Sequence, residues 1–172
     1  MAIGDVLEST REAAASVVAA GAAAVDRERL YPDGSLKALA AAGALGLVVP
    51  SEHGGCGGGL GALAEACEAV GAACASTGMV FLMHEVTAAT VAIGGGERAA
   101  ELLPRLATGE AIGTLAFSER GTGAHFYNPE LRAERTNGSV TITGRKSFVT
   151  SGGHADQYLV LVQGESEGTA DA

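Results

Sequence analysis

The stretch LAFSERGTGAHF (Leu115–Phe126), read with its downstream companion TGRKSFVTSGGHAD (Thr143–Asp156), decides the fold. Each joins a short apolar run to a glycine-rich turn that carries hydroxyls and an aromatic. Such turns expose backbone N–H groups, which can cradle a pyrophosphate or the polar edge of a flat cofactor. Alone, Ser118-Glu119 and Gly121-Thr122-Gly123 read equally well as a surface turn. Joined by Phe148, Thr150, Ser151, Gly152 and Gly153 at a second strand end, they can form one wall.

Upstream of Gly109 the apolar period is helical. Ile3–Asp26 is rich in alanine, the strongest helix former. Asp33 is placed to cap a helix through Leu36, Leu39 and Ala42, which Gly43 or Gly46 would end. The glycine-rich loop VVPSEHGGCGGG (Val48–Gly59) follows. Helical spacing resumes at Leu60, Leu63, Cys67 and Val70. Ser76 or Thr77 can cap another helix through Met79–Ile93, closed by Gly94-Gly95-Gly96, and a short last helix carries Ala99, Leu102, Leu103 and Leu106.

After Gly109 the period changes. Ala111–Phe117 reads as an apolar strand. Leu131–Arg135 and Ser139–Thr143 flank Asn137-Gly138, a strong hairpin signal. Ser139–Thr143 alternates as a half-buried strand should. Phe148-Val149 and Tyr158–Val162 read as further strands, the second suited to burial on both faces. Helices first and strands afterwards argue for an α+β fold. The expected organisation is an all-helical domain over 1–110, an incomplete antiparallel β domain over 111–164, and a polar, acidic tail over 165–172 that frays. The last strand leaves an edge that something should cover.

Composition removes several classes. The formal net charge is −9 and no dense Lys/Arg cluster exists, which disfavours nucleic acid and anionic membranes. The longest apolar stretches, around Ala13–Val25 and Ala38–Val49, fall short of the roughly 20 residues that span a bilayer. The start, MAIGDVLESTRE, lacks the basic and apolar regions of a secretory signal. Cys56, Cys67 and Cys74 are odd in number with no CxxC spacing, so they read as buried thiols in a reducing cytoplasm.

Other motifs give way to plainer readings. Gly59-Leu60-Gly61-Ala62-Leu63-Ala64 fits GxGxxA with Glu85 downstream, but the required strand does not precede it, so helix packing is the better account. His84-Glu85 begins like HExxH, yet Ala88 stands where the second zinc ligand belongs, and His84 reads as facing a pocket or the core. Gly144-Arg145-Lys146-Ser147 lacks both glycines of a phosphate loop. No residue is assigned to a metal.

Three segments in order, AGALGLVVPSEHGG (Ala42–Gly55), LLPRLATGEAIGTLAFSERGTG (Leu102–Gly123) and ITGRKSFVTSGGHAD (Ile142–Asp156), resemble the acyl-CoA dehydrogenase family over roughly Leu36 to Val162. The resemblance implies an N-terminal helical domain, a central β domain and a C-terminal helical bundle, with FAD between them. It implies that Ala116, Phe117 and Ser118 lie against the flavin, and that Gly123 and Ala124 face the FAD pyrophosphate or the acyl-CoA. Phe148, with Val149, would take the place of a flavin-side aromatic, often tryptophan, and Thr150 would hydrogen-bond to the ring. Ser118 stands for the family's usual threonine, and Gly123-Ala124-His125 replaces its Gly-Ser-Asp. The implied reaction is α,β-desaturation of an acyl-CoA thioester, with electrons passed to an electron-transfer flavoprotein. The family's glutamate base belongs to the C-terminal bundle, so no catalytic residue is assigned here and Glu119 is not offered. A polypeptide supplying the C-terminal half, and a homo-oligomer of the full architecture, are the implied partners. Two alternatives accompany this reading: a flavin oxidase or monooxygenase of the same architecture, and a non-catalytic remnant that binds another polypeptide.

Overall fold

The computed structural model describes residues 1–164, and the expected fraying of 165–172 lies outside them. Helix α1 (Ile3–Ala13) and helix α2 (Ala19–Glu28) are joined through a π-helical turn, Ala14–Val18, into one rod, as their alanine content favours. Helix α3 (Asp33–Ala41) follows. Asp33 does not cap it: Pro32 holds the cap position, and Asp33 sits in the first turn, where its charge favours the helix dipole. Gly43, left-handed at φ 77, ends the helix, while Gly46 falls in a following 3-10 turn.

Helices α4 (Leu60–Ala73) and α5 (Ala75–Gly94) form a tight hairpin about the extended Cys74. Neither Ser76 nor Thr77 caps α5, because Cys74 occupies that position. A Cβ on Gly78 would lie 2.8 Å from the Cα of Gly71, so glycine at this crossing lets the two backbones touch. No strand precedes α4, which leaves the glycines at 59 and 61 outside the dinucleotide fingerprint's geometry.

Contrary to the sequence expectation, α5 is long and apolar enough to cross a membrane, with mean hydropathy 1.3. It packs instead against α4, helix α6 (Ala99–Thr108) and the first strand, and its buried face carries His84 and Glu85. It is the central core helix. Around it lie two apolar clusters. One joins Val6, Val18, Leu39, Leu45, Val70 and Phe81; the other joins Val49, Ala88, Leu103, Leu106 and Ala111, with Leu159 packed on it.

Strands β1 (Gly113–Ala116), β2 (Ala133–Thr136), β3 (Ser139–Ile142) and β4 (Gln157–Val160) make two two-stranded sheets. β2 and β3 form the expected antiparallel hairpin, with Asn137 at φ 50 and Gly138 at φ 80 as a primed turn requires. The other pair corrects the all-antiparallel expectation, since β1 and β4 run parallel, Gly113 opposite Gln157. The long connection between them lets the chain return in the same direction. Phe148-Val149 is no strand, because Phe148 turns left-handed at φ 54. β3 is exposed along its whole length, and β4 exposes Tyr158 and Val160, so neither has the burial its pattern suggested. Backbone bonds from Ala133 N–H to the Gln163 carbonyl (3.1 Å) and from Gln163 N–H to the Leu131 carbonyl (2.8 Å) tie the two sheets together.

Candidate functional site

The site grows from β1, whose start is pinned by the helical layer. The Gly113 N–H donates to Nδ1 of His84 at 3.2 Å, and His84 Nε2 lies 3.1 Å from the Leu45 carbonyl. With Nδ1 accepting, Nε2 carries the proton and donates, which fixes a neutral tautomer. Burial pushes the imidazole below its ordinary value, consistent with that state. His84 is therefore a buried bracket between α5, β1 and the turn after α3. The neighbouring Glu85 is equally buried; its Oε2 accepts from Val48 N–H at 3.0 Å, while Oε1 has no hydrogen-bond partner and lies 4.0 Å from His84 Nε2. Burial raises its pKa to about 8, partly offset by the Val48 amide.

Beyond β1 the chain lies beside the 146–150 segment. Thr114 Oγ1 donates to the Thr150 carbonyl at 2.5 Å, and Ser147 N–H donates to the Ser118 carbonyl at 2.8 Å. Lys146 Nζ donates to the Phe117 carbonyl at 3.0 Å and to Oε1 of Glu119 at 2.6 Å. The Glu119 carboxylate also accepts from the amides of Glu130 (2.7 Å) and Leu131 (3.2 Å). Burial opposes its ionisation, but the Lys146 ammonium and these amides outweigh burial and hold its pKa below the ordinary carboxylate value. The Glu119–Lys146 pair is thus the internal fastening of the two turns. Nothing in the sequence linked these two residues, which lie in separate motifs.

Ala116 is buried, and Phe117, Ser118, Val149 and Thr150 are half-buried along this seam. Phe148 projects into solvent, its residue 96% exposed. Gly123 and Ala124 occupy an exposed turn closed by His125 N–H donating to the Thr122 carbonyl at 2.9 Å. Among the described residues, neither the Gly123 nor the Ala124 N–H donates to another group. Phe126 extends this side, its ring 6.4 Å from that of Phe117 and nearly parallel to it.

The second turn is braced from the helical side. Tyr31, between α2 and α3, stacks on His154 with ring centroids 4.1 Å apart and planes 5° from parallel. Its hydroxyl donates to Ser151 Oγ at 3.3 Å. Asp156 Oδ2 accepts from Ile112 N–H at 2.9 Å, tying the turn's far end to the start of β1. Sequence reasoning placed His154 in a glycine-rich loop, but Tyr31 lies too far away in the chain for any spacing rule to join them.

The chain matches the family models for the acyl-CoA dehydrogenase N-terminal domain over residues 4–110 and the acyl-CoA dehydrogenase middle domain over 114–172. It is 32% identical over 160 residues to a mitochondrial isovaleryl-CoA dehydrogenase from Oryza sativa subsp. japonica, covering 91% of this chain and 39% of the relative. Butyryl-CoA dehydrogenase from Megasphaera elsdenii superposes with a TM-score of 0.85 at 21% identity, covering 98% of this chain and 45% of that one. The FAD complex of PigA superposes at 0.84 with 23% identity, covering 96% and 44%. The chain thus spans less than half the length of each.

Proposed function

We propose, from the premise that the chain belongs to the acyl-CoA dehydrogenase family, that it forms the helical and flavin-lining part of an FAD-dependent oxidoreductase that desaturates an acyl-CoA thioester between Cα and Cβ. The observation that carries this reading is the seam joining Thr114–Glu119 to Lys146–Thr150 by the Thr114, Lys146 and Ser147 hydrogen bonds. Two of its features fit a flavin nucleotide. The 96%-exposed Phe148 offers an aromatic face held outward by its left-handed backbone, and Gly123 and Ala124 present open amide donors suited to phosphate oxygens.

In this reading Ala116, Phe117 and Ser118 line the ring from the β1 side, while Phe148, Val149 and Thr150 line it from the second turn. Gly123 and Ala124 meet the pyrophosphate or the acyl-CoA. Bound FAD would supply the electron-accepting chemistry for the substrate's β-hydride. The chain's own part is to hold these groups rigid and to place backbone donors where negative charge develops. Glu119 is committed to Lys146 and two amides, so it does not serve as base. We assign the base, the electron-transfer flavoprotein acceptor and homo-oligomer formation to the complete architecture, with the missing part coming from a further segment or a partner polypeptide. We divide the two domains at 110/111 and place the protein in the cytoplasm, a reading supported by the free thiols of Cys56, Cys67 and Cys74.

Titrating the purified chain with FAD, alone and with a polypeptide carrying the C-terminal bundle, tests the proposal. The expected result is saturable flavin binding, and bleaching by an acyl-CoA under anaerobic conditions once the bundle is present. Failure to bind FAD in either form overturns it.

A further inference from the structure

We infer that Tyr31 is a positioning residue: from the helical domain, it sets the conformation of the 148–154 turn that presents Phe148 and Thr150. This rests on the flavin reading above, but its geometric half stands on contacts alone. The turn carries Phe148 at φ 54, Ser151 at φ 59 and Gly153 at φ 85. Left-handed backbone is unfavourable for the two non-glycine residues, so neighbouring structure must hold it.

Much of the turn's bracing is local. The amides of His154 and Ala155 both donate to the Ser151 carbonyl at 2.9 Å, the Gly152 amide donates to the Val149 carbonyl at 3.0 Å, and the Gly153 amide donates to the Tyr158 hydroxyl at 3.0 Å. Tyr31 grips the same turn at two points, Ser151 by its hydroxyl and His154 by its ring face. It is itself prepared for this. Arg29 is left-handed at φ 56, Pro32 restricts Tyr31 to extended backbone, and the Asp33 N–H donates to the Tyr31 carbonyl at 3.0 Å. A rigid support on the helical layer therefore meets the most strained segment of the β region. A movement of α2 against α3 would be delivered to the flavin-side turn.

Hydrogen exchange followed by NMR on the full chain, together with FAD titration, tests this in Tyr31→Leu and Tyr31→Phe. An aromatic contact of this kind corresponds to an effect of about two- to tenfold. Tyr31→Leu is expected to speed exchange at His154 and Ala155 by that factor, leave Val70 in α4 unchanged, and weaken FAD binding by a similar factor. Tyr31→Phe keeps the stack and should fall between. Unchanged exchange at His154 and Ala155, or equal acceleration throughout α4 and α5, overturns the inference. A loosened turn with unchanged FAD affinity reduces the contact to a structural one and overturns the positioning role. If the unsubstituted chain binds no FAD, the proposed function falls with the flavin half, and exchange still decides whether Tyr31 sets the turn.

Discussion

Replacing Glu85 with glutamine should remove most of a pH dependence built into the helical core. Glu85 is fully buried, one carboxyl oxygen accepts from Val48 N–H, and the other has no hydrogen-bond partner. Its pKa is about 8 in the folded chain against an ordinary 4.5. Between those values the folded state binds the proton more tightly than the unfolded state, so stability is highest at low pH and falls as pH rises. The loss levels off above about 8. At about 1.4 kcal/mol per unit, raising pH from 5 to 8 costs about 3–4 kcal/mol from this one group. Glu85→Gln keeps a carbonyl for Val48 and cannot ionise. His84 shifts in the opposite sense, its lowered pKa favouring the fold as pH rises towards its unfolded value of 6.5. It is present in both proteins, but its Nε2 lies 4.0 Å from Glu85 Oε1, so their difference reads the Glu85 charge together with its coupling to His84. Urea unfolding followed by circular dichroism at pH 5, 6.5 and 8 should show the two proteins within about 1 kcal/mol at pH 5, and the glutamine variant ahead by about 3–4 kcal/mol at pH 8. Parallel pH profiles would refute the reasoning.

Lys146→Met leaves the Glu119 carboxylate with its two amide donors but without a cation and should cost about 1–3 kcal/mol in urea unfolding; a second change, Glu119→Gln, should recover part of it, and a loss below about 0.5 kcal/mol would contradict the buried-pair account. Gly78→Val drives side-chain atoms into Gly71 and should lower stability by about 1–3 kcal/mol, read as a drop in Tm. Phe148→Gly relieves a left-handed aromatic and should stabilise the flavin-free chain by about 0.5–1 kcal/mol, while weakening FAD binding in a fluorescence titration.

The helical half was legible because its signals are local. Alanine content marked the first rod, Gly43 or Gly46 marked the end of α3, and the Leu102–Leu106 spacing marked α6. Where the reading failed, the causes were of two kinds, distance in the chain and local backbone conformation. The parallel β1–β4 pairing depends on a forty-residue detour that no period reveals. The missing strand at Phe148 reflects a left-handed backbone that propensity for an aromatic would not suggest. In the candidate site, both turns were visible as glycine-rich stretches, the first at the end of β1, the second with no strand immediately before it. Their fastening by Glu119 and Lys146, the bracing of the second by Tyr31, and the pinning of β1 by His84 required the folded chain. His84 was recognised as a packed histidine, but its two hydrogen-bond partners come from segments that the sequence could not place beside it.

Pairing β1 with β4 also orders events during synthesis. His84, the acceptor for the Gly113 amide, precedes Gly113 in the chain, so the helical layer can hold β1 in place before a sheet partner exists. Until Gln157–Val160 leaves the ribosome, that strand waits with an open edge. Slowing translation across residues 117–156 would therefore prolong the interval in which nascent chains can join one another edge to edge.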